Sequence, residues 1–137
     1  GARSICSRRT RSTQNCAIAS KLALSMPEKD WRILISDMID YARHARAHAA
    51  GMDETAFAAD LKTIHAVTRC VEIIGEAARA VPEDIRAQAP MVPWAQIVGT
   101  RHILAHAYGR VDPAILWALV SNGLTKLETD LAPLIKS

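Results

Sequence analysis

The feature that most constrains the fold is a helical spacing of apolar residues that starts at Asp30 and continues through the rest of the 137-residue chain. Apolar side chains recur at steps of three and four, which places them along one face of each helix. In the first helix this face comprises Trp31, Leu34, Ile35, Met38, Ile39 and Ala42. No segment alternates apolar and polar residues for long enough to indicate a strand. The spacing therefore predicts an all-α fold.

Capping residues and prolines divide this pattern into helices with short connections. Gly51 ends the first helix, Asp53 caps a short turn, and Pro82 closes the long helix that follows. The predicted helices run over about 30–50, 60–81, 82–88 and 94–108, with a last one that begins at Asp112-Pro113. No apolar run is long enough to span a membrane. Residues 26–137 are therefore predicted to form one domain, a four- to five-helix up-down bundle.

The positive charge of the chain is concentrated in its first 25 residues. The whole chain carries +3, but residues 1–25 hold five Lys and Arg and no acidic residue. Residues 26–137 contain the other 12 basic residues and all 14 Asp and Glu, so their net charge is −2. We expect residues 1–25 to be a non-native or disordered basic leader, with a transit-peptide-like segment as the minor alternative. The basicity of the whole chain is therefore no argument for nucleic-acid binding by the domain.

Glycine, cysteine and aromatic residues exclude several functional classes. The six glycines are too far apart for a G-x-G-x-x-G turn or a Walker loop, which excludes a glycine-rich phosphate site. The three cysteines form no C-x-x-C pair, which argues against a disulfide framework or a zinc knuckle and favours a reducing, cytoplasmic location. Aromatic residues make up 4% of the chain and form none of the clusters with which RNA-binding sheets stack bases.

The densest polar cluster lies at the end of the fourth predicted helix, between Arg101 and Arg110. It contains His102, His106 and Tyr108, although the flanking helices are apolar and ordinary. Histidine exchanges a proton near neutral pH, and a guanidinium group can hold a phosphate. These groups suffice to cleave RNA without a metal. A base takes the proton from a 2′-hydroxyl, and a cation stabilises the phosphate that the hydroxyl attacks.

Structural roles or metal binding could also explain this cluster of polar residues. An arginine and a histidine near a helix end often only cap carbonyls or offset the helix dipole. His102 and His106 share a helix face, as a chelating pair would, but no third ligand is evident and no metal is expected. Arg101 and His106 diverge by about 140° on an ideal helix. They can meet at one phosphate if the helix loosens before Gly109 and the long side chain of Arg101 bends back, or if a second chain completes the site about a two-fold axis.

The other polar and aromatic features are interpreted as structural. Basic residues late in the first helix are expected to form a solvated face near its negative dipole end. These are Arg43, His44, Arg46 and His48. Glu72 and Glu76 lack the matching Glu-x-x-His motifs of a di-metal bundle, and we expect them to orient an arginine across the bundle. His65 lies near the apolar stripe of its helix and is predicted to be a packed core residue. Trp94 and Trp117 are predicted to anchor the core.

Several separate signatures follow one another along the chain after Met26. They are Asp30-Trp31-Arg32, Val71-Glu72-Ile73-Ile74-Gly75-Glu76-Ala77-Ala78, Val92-Pro93-Trp94, Arg101-x4-His106-x-Tyr108, Val111-Asp112 and Trp117. By their order and spacing, residues 27–136 resemble the HepT-like HEPN proteins, which are the toxin halves of bacterial and archaeal toxin-antitoxin pairs. Together these signatures are far more specific than the R-x4-H spacing alone.

The resemblance implies a HEPN-type helical bundle that forms a homodimer and acts as a metal-independent ribonuclease without a cofactor. It implies that Arg101 and His106 are the catalytic pair and that RNA is the substrate, and we expect His102 and Tyr108 to line the same cleft. The antitoxin of such systems is a small MNT-type nucleotidyltransferase. Tyr108 matches the hydroxyl that this antitoxin adenylylates, and a nucleotide there would place negative charge and bulk beside the phosphate site.

One residue of the motif departs from the family pattern, because His102 stands where Asn or Asp is usual. Three consequences are open: a preserved hydrogen bond, a second proton carrier, or a chain whose nuclease activity has drifted. A different class of function is therefore also considered, a non-catalytic binding module that partners or regulates a nucleotidyltransferase. A purely structural bundle is a third possibility, which a monomeric chain would favour.

Overall fold

The computed structural model describes residues 30–106 and 111–136, and of residues 105 and 106 only the main chain. All regular structure in these ranges is helical, which confirms the predicted all-α bundle. The helices are α1 (Trp31–His48), α2 (Glu54–Ala59), α3 (Leu61–Ala80), α4 (Glu83–Arg86), α5 (Trp94–His106), α6 (Pro113–Ala118) and α7 (Leu124–Lys136). The predicted leader of residues 1–25 and the proposed modification site, Tyr108, lie outside the described residues. No described helix is both long enough and apolar enough to cross a membrane.

Aspartate side chains begin several of these helices. The carboxylate of Asp53 accepts a hydrogen bond from the amide of Ala56 at 2.7 Å, and Asp112 accepts one from Ala114 at 2.9 Å. These bonds satisfy amide groups that have no partner within the helix. At Asp60 the side-chain hydrogen bond from Thr63 lowers the pKa of the carboxyl below its usual value. The caps explain why α2, α3 and α6 begin where the sequence predicts.

Helix α3 is central to the bundle. It packs against α1 on one side and against α5 on the other, and α7 in turn packs against α1. The largest fully buried side chains come from five helices and the residue that follows α3. They are Phe57, Ile35, Met38, Leu116, Leu131, Val67 and Val81. Trp94 is buried, and Trp117 packs partly buried with its ring centroid 5.4 Å from that of Phe57, so both predicted core anchors are confirmed.

The last predicted helix is divided by a π-helical turn, Leu119–Gly123, which the sequence pattern did not predict. Leu116, Val120 and Leu124 are buried and follow one another at two successive steps of four residues. On an α-helix two such steps rotate the side chain by about 80°, away from the core. The wider π turn offsets this rotation and keeps all three residues on the buried face.

The basic face late in α1 is only partly solvated. His44 and His48 are exposed as predicted, but Arg46 is partly buried and pairs with Glu128 of α7 through Nη2 and Oε2 at 2.5 Å. Arg43 lies 3.5 Å from the other carboxylate oxygen of Glu128. The Glu128 side chain is only 12% exposed, so its charge is mostly removed from water. The prediction of a solvated face was therefore wrong for Arg46, because its partner comes from a distant part of the sequence.

We expect Glu128→Ala to lower the free energy of unfolding by about 1–3 kcal/mol, because it leaves the partly buried Arg46 without its counter-ion. Glu72→Ala is the matched control: Glu72 pairs with Arg69 of its own helix at 3.3 Å, and the Arg69 side chain is 67% exposed. That change should cost less than about 0.5 kcal/mol. Urea unfolding of both variants tests the difference, and equal losses would contradict it.

Candidate active site

Helix α5 carries the candidate catalytic residues, and two features hold its start in place. Pro93 precedes it, and the indole N–H of Trp94 donates a hydrogen bond to the carbonyl of Ala89 at 3.1 Å. From Trp94 the helix continues without a break through His106. The predicted loosening of this helix before Gly109 is therefore not seen up to His106. The residues that follow, 107–110, lie outside the described residues.

Arg101 lies on the side of α5 that faces α3, where the two helices approach closely. The approach occurs at Gly75, which is buried on α3. A Cβ atom built on Gly75 would lie 2.3 Å from Cβ and 3.2 Å from Cγ of Arg101. Arg101 itself is partly buried, and neighbouring Leu104 belongs to the core. The stem of the candidate phosphate-binding residue is therefore packed against α3.

Position 106 lies on the opposite side of α5. It is about 140° around the helix from Arg101 and about 180° from Ile97, another residue that packs against the core. His102, exposed and about 40° from position 106, lies towards the same outward face. An unbroken helix therefore separates Arg101 from position 106 within one chain. The two main-chain positions therefore diverge within one copy, and the side chain of His106 lies outside the described side chains.

The outward face of α5 carries a large exposed apolar side chain beside the exposed polar residues Gln96 and His102. Ile103 is 69% exposed, and Ala95 is exposed as well. A Cβ atom built on Gly99 would meet nothing within 4 Å, so the space beside it is open. We name Ala95, Gly99 and Ile103 the outer face of α5. A helix with apolar residues both towards the core and away from it is typical of a helix buried on two sides.

The other polar residues considered in the sequence do not join this site. His65 is exposed, so its predicted burial was wrong: the core face of α3 is centred on Val67 and Val71, and position 65 lies well around the helix from it. Glu72 pairs with Arg69 of its own helix and Glu76 is exposed, so neither is seen to orient an arginine of another described helix. Among the described side chains, no group of three or more His, Cys, Asp or Glu could hold a metal ion.

Cys70 is a buried residue whose thiol could in principle act as a nucleophile. It is a free cysteine, 5% exposed, on α3. Burial raises the pKa of its thiol above the ordinary value, so the reactive thiolate is disfavoured at neutral pH. Cys70 is therefore a packing residue and not a candidate nucleophile.

A groove of about 290 Å³, which sequence patterns did not predict, opens between α5 and α7. Val71 and Ile74 of α3 line it together with Ile97 and Leu127. Its lining is mostly apolar, and Arg101 is not part of it. The groove is thus distinct from the surface on which Arg101 lies. No periodic pattern marks it, because it forms between helices that are distant in sequence.

Comparison with known proteins gives a consistent result. The sequence profile of the HepT-like ribonucleases matches residues 38–134. A protein of Methanocaldococcus jannaschii, provisionally named an RNase, is 32% identical over 106 residues, which are 77% of this chain and 97% of the relative. A protein of Thermococcus cleftensis, provisionally named a ribonuclease HepT, is 40% identical over 72 residues, covering 53% of this chain and 66% of that protein. No solved structure matches the chain significantly.

Proposed function

Because the chain belongs to the family of HepT-like ribonucleases, we propose that it cleaves RNA at an active site assembled from two copies of the chain. One observation supports a site that is formed by two copies. Helix α5 is continuous through His106, which leaves Arg101 packed against α3 and position 106 on the opposite side. On one unbroken helix these two positions diverge by about 140°, and a second copy of the chain can supply the group that completes the site.

The proposed chemistry needs a base and a cation. His106 accepts the proton of a ribose 2′-hydroxyl, whose oxygen then attacks the adjacent phosphorus. The guanidinium of Arg101 from the other copy binds the phosphate oxygens and stabilises the negative charge that develops on them. The bond from phosphorus to the 5′-oxygen of the next nucleotide breaks, and that oxygen takes a proton from water as it leaves. The products are a 2′,3′-cyclic phosphate and a 5′-hydroxyl end. His102 lines the same cleft.

The outer face of α5 is the surface on which we place the second copy. Its small residues allow the partner's α5 to approach closely, since Gly99 presents no side chain. Ile103 contributes exposed apolar area to this contact, since it is 69% exposed in a single copy. We place a two-fold axis along this face, so that position 106 of both copies lies beside the contact and the long side chain of Arg101 extends around α5 to reach the histidine of the other copy.

We further propose that the ribonuclease is the toxin of a toxin-antitoxin pair in the cytoplasm and that an MNT-type nucleotidyltransferase neutralises it by adenylylating Tyr108. Tyr108 is two positions after His106, so a nucleotide on its hydroxyl adds negative charge close to the proposed site. That charge repels the phosphate of an RNA substrate, and its bulk obstructs the cleft.

Intact-mass measurement tests this regulation. When the chain is co-expressed with an MNT-type nucleotidyltransferase, we expect its mass to rise by whole adenylyl units and its RNA cleavage to stop. Tyr108→Phe should keep its original mass and remain active, because it lacks the acceptor hydroxyl. Modification of the Tyr108→Phe chain to the same extent would exclude Tyr108 as the acceptor. A Tyr108-adenylylated chain whose unmodified form never cleaves RNA would instead favour the non-catalytic binding module.

A further inference from the structure

Gly75 is the residue of α3 that lies against Arg101. A Cβ atom there would be 2.3 Å from Cβ of Arg101 and 3.1 Å from the carbonyl oxygen of Ile97. Ordinary contacts of a Cβ atom are 3.4–4 Å long, so any side chain at position 75 requires a shift of about 1 Å or more. The glycine therefore sets how closely α5 approaches α3 at the level of Arg101.

The need for glycine at this position is one of space and not of backbone conformation. Among the described glycines only Gly51 has a positive φ, of 80°, whereas Gly75 lies within a regular helix. Glycine inside a helix is less favourable than alanine, so Gly75 lowers the stability of α3 by itself. A Cβ atom added at Gly99 of α5 would meet nothing within 4 Å, and one added at Gly123 would meet Cδ2 of Leu119 at 3.3 Å and the carbonyl oxygen of Ala118 at 4.0 Å. The close approach at Gly75 is thus the tightest among the described glycines.

We infer that Gly75 is a positioning residue for Arg101, and this inference rests on the ribonuclease function proposed above. By letting the stem of Arg101 pack directly on the main chain of α3, it fixes where the guanidinium group starts and limits the conformations of its side chain. A catalytic cation must be held to within a fraction of an ångström, and a misplacement of 1 Å costs about 10²-fold in rate. The chemistry stays with Arg101, and Gly75 acts only through it.

The first test compares Gly75→Ala with Ala78→Gly. Ala78 lies three residues further along α3 and is fully buried. Gly75→Ala improves the intrinsic helix propensity but displaces Arg101, whereas Ala78→Gly weakens the helix without adding any atom. We expect kcat for RNA cleavage to fall about 10–100-fold in Gly75→Ala, with KM changed less than about threefold. Ala78→Gly should keep kcat even where its Tm is lower.

The second test does not depend on RNA. Gly75→Ala is combined with Arg101→Gly, which removes the Cβ atom that the new methyl group meets, and the Tm of all four chains is measured. We expect Gly75→Ala to lower the Tm by about 5–10 °C when Arg101 is present and by much less when position 101 is glycine. If Gly75→Ala alone fails to fold, recovery of folding in the double variant supports the same contact.

Each outcome decides one of the two proposals. If the wild-type chain cleaves RNA and Gly75→Ala cleaves it equally fast, Gly75 does not position Arg101. If the effects of the two substitutions on the Tm are additive, the contact itself is wrong and the inference fails. If the wild-type chain cleaves no RNA and the Tm values show strong coupling, the ribonuclease proposal fails while the packing of Arg101 on Gly75 stands.

Discussion

Replacing Arg101 or His106 by alanine is expected to lower kcat/KM for RNA cleavage by about 10²–10⁴-fold. Without His106 no positioned base accepts the proton of the 2′-hydroxyl. Without Arg101 the charge that develops on the phosphate has no fixed cation beside it. Purified variants incubated with a fluorescent RNA measure the effect, and the same substitutions should abolish growth inhibition when the chain is expressed.

Arg69→Ala is the matched control for these variants. Arg69 is a largely exposed arginine on α3 that forms an ion pair with Glu72 of the same helix, so its loss removes one positive charge without touching α5. It should retain nearly full activity. Circular dichroism and size-exclusion chromatography should show that all three variants are folded and keep the oligomeric state of the wild type. Cleavage by Arg101→Ala and His106→Ala at more than a tenth of the wild-type rate would exclude both from catalysis.

Ile103→Glu is expected to convert the proposed dimer into a monomer and to lower cleavage at least 100-fold. Ile103 is the most exposed large apolar side chain among the described residues, and we place it beside the two-fold axis. A carboxylate there is repelled by its symmetry mate and is costly to bury in the contact. Loss of the dimer separates Arg101 from the His106 that it needs. Sedimentation and cleavage assays on the same sample measure both effects.

Ile33→Glu controls for the added charge. Ile33 is 50% exposed in the first turn of α1, outside the outer face of α5, and an acidic residue suits the start of a helix. This variant should remain dimeric and active. A dimeric, fully active Ile103→Glu chain would show that the outer face of α5 is not where the two copies meet.

The fold could be predicted from the sequence because its signals are local. The steps of three and four residues and the caps at Asp53 and Asp112 act within one helix or one turn, and the structure places helices where they indicate. The prediction was wrong where distant residues decide the outcome. Arg46 is paired because Glu128 of α7 lies beside it, and the π turn arises because residues on both sides of it must face one core.

The candidate site could be predicted only as a set of residues. Arg101, His102, His106 and Tyr108 are close together in the sequence, so their chemistry is visible there. Their arrangement depends on packing that no local pattern encodes. The role of Gly75 in bringing α3 and α5 together follows from a distance between two helices.

His102, which stands where the family usually has Asn or Asp, also belongs to the candidate site on α5. It is exposed and lies near the outward face of α5, close to position 106 around the helix. From there a side chain of one copy can reach a cleft formed with the other. This position fits the proposed role of His102 in lining the cleft, next to the residue that we propose moves the proton.

The most direct test of the two-copy site is complementation between two inactive chains. Arg101→Ala and His106→Ala, each carrying a different affinity tag, are co-expressed, and the mixed dimer is isolated through both tags. If each site takes Arg101 from one copy and His106 from the other, the mixed dimer contains one intact site and should regain about half of the wild-type rate. A mixed dimer as inactive as either parent would show that the pair does not act across the two copies.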